Sequence, residues 1–305
     1  LIRLVRERRV EVIHSHGKGA GLYGRIAASW TRAKAIHTFH GIHYRHYPFG
    51  VRDLYLGMER RLSRRSFAVI HVSRSQACEA ERLALESPQR RHTIVNATDY
   101  SVVQGLMARG SLSRQALGVD PAALVLGTVA RFDPVKGLDV LLEAFAGVLA
   151  IIPTAQLLLV GGGPEDPRLR DQVRRLGIAD RVVFAGPRPE SVRCLPAMDL
   201  YVTASRREGL PLAVLEAMAG GLAVVATKVI GHEDVVEEGV TGLLVPPDDP
   251  GALAEAVARL LPDASRRRIM GEAGRHRVET QFAVPRMVAQ IADLYRSAVN
   301  RFGSG

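Results

Sequence analysis

Residues 200–227 read LYVTASRREGLPLAVLEAMAGGLAVVAT. Leu200 to Ala204 and Leu222 to Thr227 are short apolar runs with the length and composition of strands buried on both faces. Between them, Pro211 suits the first turn of a helix and Gly220-Gly221 its end. Strand, helix, strand in so short a passage is the repeating unit of a parallel α/β sheet. Gly209 to Ala226 is apolar enough to raise a membrane span, but Pro211, Glu216 and the glycine pair argue for a buried helix, a turn and a strand.

The same alternation extends outward. Leu124 to Ala130, Gln156 to Gly161, Arg181 to Ala185 and Gly242 to Val245 complete a set of six strands from about residue 111, enough for a doubly wound unit. Upstream, Val10 to Ser15, Ala35 to Phe39, Phe67 to Val72 and Thr93 to Asn96 read as strands. The stretches Val51 to Arg65 and Arg74 to Glu86 read as helices. This first part opens on a helix, Ile2 to Arg9, with no strand before it, so it is expected to lack its beginning. The resulting organisation is a partial first domain over 1–110, a second over 111–283, and an amphipathic stretch, Val284 to Phe302, crossing back to the first domain within 284–305. Arg109–Ser113 is the expected linker.

Composition narrows the class. At 305 residues, two domains are the natural size, and 47% hydrophobic content excludes a disordered chain. Two cysteines, Cys78 and Cys194, make neither a disulfide framework nor a Cys-based zinc site, so a reducing, cytoplasmic setting is expected. Residue 1 is Leu and no basic-then-apolar leader follows, so no secretory signal is expected. Residues 1–110 hold 19 Lys+Arg against 8 Asp+Glu, whereas residues 111–305 hold 22 against 23. All the excess positive charge therefore lies in the first third, which suits an anionic surface or substrate, or is a merely solvated Arg-rich face.

Ligands of open α/β sheets bind beyond the carboxyl ends of the strands. Two strand ends carry unusual residues. In LGTVARFDPVKG, Arg131 and Lys136 follow a buried strand, either as a clamp for a diphosphate or as solvated loop cations. In SRREGLPLAVLEAMAGG, Glu216 is the only polar side chain between Glu208 and Thr227. A lone carboxylate there is either satisfied by a neighbour in the core or kept for a ligand's hydroxyls. Gly209, Leu210, Pro211 and Leu212 offer backbone amides at a helix N-terminus, where a phosphate binds well. Two carboxylates beside an anion site point to a nucleotide-sugar.

EGLPLAVLEAMAGG, with seven residues between Glu208 and Glu216, resembles the E-x7-E motif of retaining GT-B glycosyltransferases of family 4. The resemblance runs through VARFDPVKG, LLLVGGGPE, VVFAG, MDLYVTAS, AVVAT and TGLLVPPDD, and, earlier, EVIHSH, IHTFHG, VIHVSRSQ and VNATD. It implies an α/β GT-B fold of two Rossmann-like doubly wound domains facing across a cleft, the first incomplete. It also implies that Glu216 holds ribose hydroxyls, Glu208 the hydroxyls of the transferred sugar, and Arg131 and Lys136 the diphosphate. His40, in Thr38-Phe39-His40-Gly41, matches the histidine that faces the sugar. Asn96-Ala97-Thr98-Asp99, Ala223 and Ile230-Gly231-His232-Glu233 depart from the family pattern, and none of these is a donor-site position.

The expected activity is hexosyl transfer, with retention, from a nucleotide-diphosphate sugar (a UDP-sugar foremost) to a lipid-linked or polysaccharide acceptor in cell-envelope glycan synthesis. The alternatives are a nucleotide-sugar epimerase and a nucleotide-sugar-binding fragment without activity. No cofactor, metal or nucleic-acid partner is expected. His37, His40, His43 and His46 recur every three residues, but Gly41 interrupts any helix and no acidic co-ligand lies among them, which favours a polar loop over zinc. His14 and His16 read as structural. The helix Arg52 to Arg65 sets Leu54, Leu56, Met58 and Leu62 against Arg60, Arg61, Arg64 and Arg65. That composition suits either peripheral attachment to an anionic membrane or an ordinary core-facing helix.

Overall fold

The structure, a computed structural model, describes residues 1–42, 44 and 47–300. His43, Arg45, His46 and 301–305 lie outside the described residues, and with them two members of the histidine run.

In chain order the elements are α1 (Ile2–Glu7), β1 (Val12–His16), α2 (Lys18–Ser29), β2 (Lys34–Phe39), α3 (Val51–Arg65), β3 (Ala68–His71), α4 (Arg74–Arg82), β4 (Arg91–Thr93), α5 (Tyr100–Ala108), β5 (Leu124–Arg131), α6 (Leu138–Ile151), β6 (Ala155–Gly162), α7 (Asp166–Arg175), β7 (Val182–Gly186), β8 (Leu200–Thr203), α8 (Leu212–Ala219), β9 (Val224–Thr227), α9 (His232–Val235), β10 (Gly242–Val245), α10 (Pro250–Leu260), α11 (Ala264–Gln281) and α12 (Val284–Asn300). The chain forms two compact units, residues 1–96 with 284–305, and residues 97–283. Helix α5 thus belongs to the second unit, so the division falls ahead of Arg109–Ser113.

The first unit holds a parallel sheet in the order β1-β2-β3-β4. One face packs Ile36, Ala68, Ile70 and Ile94 against Leu294 and Ala298 of α12. The other packs Phe39 and Val69 against Leu56 of α3 and Ala80 of α4. Burial on both faces is why these strands read as continuous apolar runs. Helix α4 stops at Arg82 rather than Glu86, since Ala84 has a positive φ of 48°. Glu86 is then free to be buried and paired with Arg91 (2.8 Å) and His71 (3.3 Å). Strand β4 lies at Arg91–Thr93, earlier than Thr93–Asn96, although the amides of Ile94 and Asn96 still donate to His71 and Val72 carbonyls.

The apolar side of α3 is largely spoken for. Leu56 and Leu62 are buried, and the Arg60 guanidinium donates to the Leu83 carbonyl at 2.9 and 3.1 Å. Leu54 stays exposed, with Phe49 and Val51 just before it. Among the described residues, no helix is long and apolar enough to cross a membrane.

The second unit's sheet is also parallel, ordered β10-β9-β8-β5-β6-β7. Its first strand, β5, lies between β6 and β8, so the winding direction reverses there. This is the topological switch point at which doubly wound sheets leave a crevice. The buried core, including Leu126, Leu157, Leu200 and Val225, is covered by α6 through Leu141 and Phe145 and by α10 through Leu253 and Val257.

In the first unit burial holds His14, His37, His40 and His92 below the ordinary value of 6.5. His14 falls to about 4 through burial and then the charges of His16 and His40, and His37 to about 2 through burial and then the Arg25 charge. Both stay neutral in the fold where the unfolded chain already binds protons. Stability from these sites is therefore complete above pH 6.5 and declines as pH falls, towards 4 for His14 and further for His37. Urea melts between pH 6.5 and 4.5 should show this decline. His37→Gln should flatten its slope by up to about 1.4 kcal/mol per pH unit, and an unchanged slope would remove His37 from the account.

Candidate functional site

At the switch point a cavity of about 510 Å³ opens over the ends of β5 and β8, lined by Arg131, Lys136, Glu208, Leu210, Pro211 and Leu212 with other residues of the second unit. That volume suits a small-molecule ligand. Arg131 ends β5, its side chain 75% exposed, and forms an ion pair with Asp133. Lys136 ends the 3-10 turn Pro134–Lys136, and its Nζ donates to Glu208 Oε1 at 2.8 Å. The two cations and Glu208 thus come together around one cavity, and each cation is neutralised by a carboxylate.

Helix α8 begins after Pro211, which has no side-chain cap to offer. Its first intrahelical bonds run from the amides of Val214 and Leu215 to the Pro211 carbonyl. Among the described residues, the amides of Gly209, Leu210, Leu212 and Ala213 meet no acceptor, which leaves a partial positive charge at the cavity wall. Glu216, further along α8, is half-buried, and its carboxylate has no hydrogen-bond partner among the described residues. Burial alone raises its pKa. Glu216 and Gly209 are not among the residues that line the cavity. The buried Tyr201 hydroxyl, which donates to the Val129 carbonyl (3.1 Å), feels both carboxylates: its pKa is raised by burial first, against the Val129 bond, with the charges of Glu216 and Glu208 adding.

Close backbone approaches fix the loops. Gly137 has φ +60°, and a Cβ there would collide with the Ala204 carbonyl, so Lys136 is carried on a turn pressed against the end of β8. Gly231 has φ +86°, and a Cβ would come within 2.7 Å of the Gly209 carbonyl and 3.3 Å of the Glu208 Cβ. This packing sets the register of the Ile230-Gly231-His232-Glu233 loop against the Glu208 loop.

Arg206, Asp139, Asp248 and His232, to which sequence reasoning gave no role at the site, belong to this construction. Arg206 donates to both carboxylate oxygens of Asp139 (2.9 and 3.0 Å), to Asp248 (2.6 Å) and to the Pro134 carbonyl (2.6 Å), tying the loop after β5 to the loop after β8. Burial opposes it, yet the Arg206 hydrogen bond holds Asp139 below the usual carboxylate range. His232 is buried with its Nδ1 on the Thr227 carbonyl (2.8 Å) and its Nε2 unpartnered. Burial lowers its pKa against the pull of Glu208. Arg206 and Arg207 look alike in sequence, so no local signal distinguishes a bracing arginine here.

His40 lies in the first unit, just beyond β2, with its Nε2 3.0 Å from His16 Nδ1. The residue is exposed overall, and partial burial, then the His16 charge, lowers its pKa. Among the described residues no group of three or more His, Cys, Asp or Glu side chains is placed to hold a metal. His37 is buried with Ser15 Oγ 3.1 Å from its Nδ1.

Residues 111–277 match the family model described as glycosyl transferases group 1, and residues 1–97 match the glycosyl transferase 4-like domain. The chain belongs to the glycosyl transferases group 1 family. It is 38% identical over 195 residues to a D-inositol 3-phosphate glycosyltransferase of Corynebacterium urealyticum, covering 61% of this chain and 46% of that protein. Over 97% of its length it is 26% identical to the Escherichia coli UDP-Gal:alpha-D-GlcNAc-diphosphoundecaprenol alpha-1,3-galactosyltransferase, 77% of which is covered. The chain spans about half the length of several curated relatives it matches. Among solved structures, Anabaena Alr3699/HepE in complex with UDP superposes with a TM-score of 0.84 at 25% identity, over 97% of this chain and 80% of that one. The two parallel-sheet α/β units have the GT-B fold of such glycosyltransferases.

The glycine turn under Lys136 is testable by stability. Gly137→Ala should cost well over about 1 kcal/mol in urea unfolding, because a left-handed φ and a backbone collision coincide. Gly177→Ala, at φ +69° with nothing within 4 Å, measures the conformational part alone. Equal losses at both would show that the turn is not pressed on Ala204.

Proposed function

We propose that the chain is a metal-independent, retaining hexosyltransferase that uses a UDP-sugar as donor and a lipid-linked or polysaccharide glycan as acceptor, in envelope or exopolysaccharide synthesis. The observation that carries this reading is the meeting of Arg131, Lys136, Glu208 and the free α8 amides at the switch-point cavity. The UDP held by the Anabaena neighbour and the diphosphoundecaprenol-linked acceptor of the Escherichia coli relative support the two substrate classes.

In this reading Arg131, Lys136 and the amides take the diphosphate. They stabilise its growing charge as the bond to the anomeric carbon breaks, a role that otherwise calls for a metal ion or a protonating acid. Glu208 accepts hydroxyls of the sugar, Glu216 those of the ribose, and His40 faces the sugar. A double displacement wants a carboxylate at the anomeric carbon. The first unit's His40 is neutral, which favours substitution on one face through an oxocarbenium-like transition state. Because Lys136 and Glu208 neutralise each other without ligand, donor binding is a partner exchange: the diphosphate draws off Lys136 and the sugar occupies Glu208.

That exchange gives opposite signs at the two partners. Glu208→Gln should tighten UDP binding several-fold by releasing Lys136, while abolishing turnover. Lys136→Ala and Arg131→Ala should weaken UDP by about 1.5–3 kcal/mol and leave uridine unchanged. Glu216→Gln should weaken uridine and UDP alike. Calorimetric titration reads all of these. Equal losses for uridine and UDP in the Lys136 and Arg131 variants would place the diphosphate elsewhere, and activity lost in EDTA and restored by a divalent ion would overturn the metal-free part.

Peripheral membrane attachment belongs to the same proposal, relocated from the arginine face of α3 to the tip before it. Phe49 (88% exposed) and Leu54 (75%) stand out from the surface beside Val51, with the exposed Arg61, Arg64 and Arg65 further along α3. Apolar tips flanked by arginines bind anionic bilayers reversibly. In vesicle flotation, Phe49→Ser with Leu54→Ser should abolish binding to anionic lipid, and added salt should weaken it. Equal binding to neutral vesicles, or none to anionic ones, would leave a soluble glycan as acceptor.

A further inference from the structure

Strands β1 and β2 run parallel with His16 opposite Thr38, so their carboxyl ends deliver several imidazoles to one place. His16 Nδ1 lies 3.0 Å from His40 Nε2, and the two rings stack with centroids 5.2 Å apart. His14, two residues earlier on the same face of β1, has its ring 4.3 Å from that of His16. Both His14 nitrogens are engaged, Nδ1 by the Tyr295 hydroxyl (2.6 Å) and Nε2 by the Thr38 hydroxyl (2.7 Å). Tyr295 comes from α12, which returns to this unit and meets the His14 ring edge-on. His14 is therefore clamped from both sides, His16 rests on it, and His40 rests on His16. Among the described residues, His40 Nδ1 has no partner.

Resting on the reading of His40 as the group that faces the transferred sugar, we propose that His16 is a positioning residue that locks the His40 ring in one tautomer, with the Tyr295–His14–Thr38 clamp as its support. A hydrogen bond between two neutral imidazoles needs one N–H and one lone pair, so the tautomer of one ring dictates that of its partner. With Nε2 committed to His16, His40 presents Nδ1 to a ligand, and the state of that nitrogen is the one that His16 sets. The neutral state this requires agrees with the lowered pKa values of His14 and His40, for which burial is the first cause and the neighbouring imidazoles the second. A sugar hydroxyl, which donates or accepts according to what it meets, is then offered a single hydrogen-bonding choice.

Imidazole nitrogen resonances of the ¹⁵N-histidine-labelled full chain read the tautomer directly. The wild type should show His40 as one tautomer, titrating below pH 6.5. His16→Asn places an amide atom near the Nδ1 position and should keep that signature. His16→Phe retains a ring for stacking but no hydrogen bond. It should split His40 into two tautomers and raise its midpoint, since the His16 charge is one of the causes that lower it. Should His16→Phe fail to fold, His16→Gln, with its amide one carbon further out, makes the same test. A His40 tautomer and midpoint unchanged in His16→Phe or, where that variant does not fold, in His16→Gln would overturn the proposal. The sugar-facing role is judged separately: UDP-glucose and UDP-galactose should perturb the His40 Nδ1 signal of the wild type. If neither does, that role fails while the hold of His16 on His40 is still decided by the variants.

Discussion

The second unit's cavity depends on one guanidinium. Arg206 follows β8, yet its fork grips Asp139 at the start of α6 and the Pro134 carbonyl, while its Nε reaches Asp248 after β10. Its own amide donates to the Val135 carbonyl at 2.8 Å. A switch point leaves the loops after its two central strands diverging to opposite faces of the sheet. Something must hold those loops to each other, or the cations on one and the carboxylate on the other would have no fixed separation. A planar, always-charged group with five donors does this where a lysine cannot. Half-buried, these bonds are also less screened than those of a surface pair.

With the loops so held, the site stores its charges in pairs. Lys136 faces Glu208 and Arg131 faces Asp133. For Lys136, whose side chain is 28% exposed, going unpaired in a partly desolvated cavity is costly, and its carboxylate partner offsets that cost when no ligand is present. The consequence is specificity of a particular kind. An anion alone competes with Glu208 for Lys136, whereas a ligand carrying both a phosphate and hydroxyls satisfies both members after they part. A nucleotide-sugar carries hydroxyls beyond its diphosphate, on the transferred sugar, whereas a free nucleotide has only those of its ribose.

The sequence was most legible where burial dominates. The strands of the second unit were readable as largely apolar runs because a parallel sheet covered on both faces leaves few polar positions to blur them. Errors arose where a single residue's conformation or a distant partner decides the outcome. Helix α4 loses its last turn to the positive φ of Ala84, and β4 sits early because Arg91 is drawn to Glu86. The apolar residues of α3 were visible, but their burial was not, since the same period describes a helix facing a core or a bilayer. At the site, residue types and spacing pointed to Arg131, Lys136, Glu208 and the α8 amides. The Lys136–Glu208 bond and the brace at Arg206 could not be read, because each joins segments far apart in the chain; His232 bonds locally to Thr227, but its complete burial depends on the surrounding packing. Glu216, conspicuous in sequence as a lone carboxylate, turns out half-buried and unpartnered rather than satisfied by a neighbour.

Both units place their reactive-looking side chains at the carboxyl ends of parallel strands, yet they solve the desolvation problem differently. The second unit keeps full charges and pairs them, which suits a ligand whose own charge takes one member of each pair. The first unit, despite its basic surface, puts neutral imidazoles there: burial favours the uncharged ring, and each ring discourages protonation of the next. Imidazoles hydrogen-bonded to each other and to hydroxyls have no charge to neutralise and gain nothing from an anion. They match a polar, uncharged partner that can both give and take a hydrogen bond. Much of the excess positive charge of residues 1–110 lies elsewhere, on exposed helix faces such as that of Arg61, Arg64 and Arg65, so the long-range field of this unit and the hydrogen bonding among these imidazoles are two separate properties.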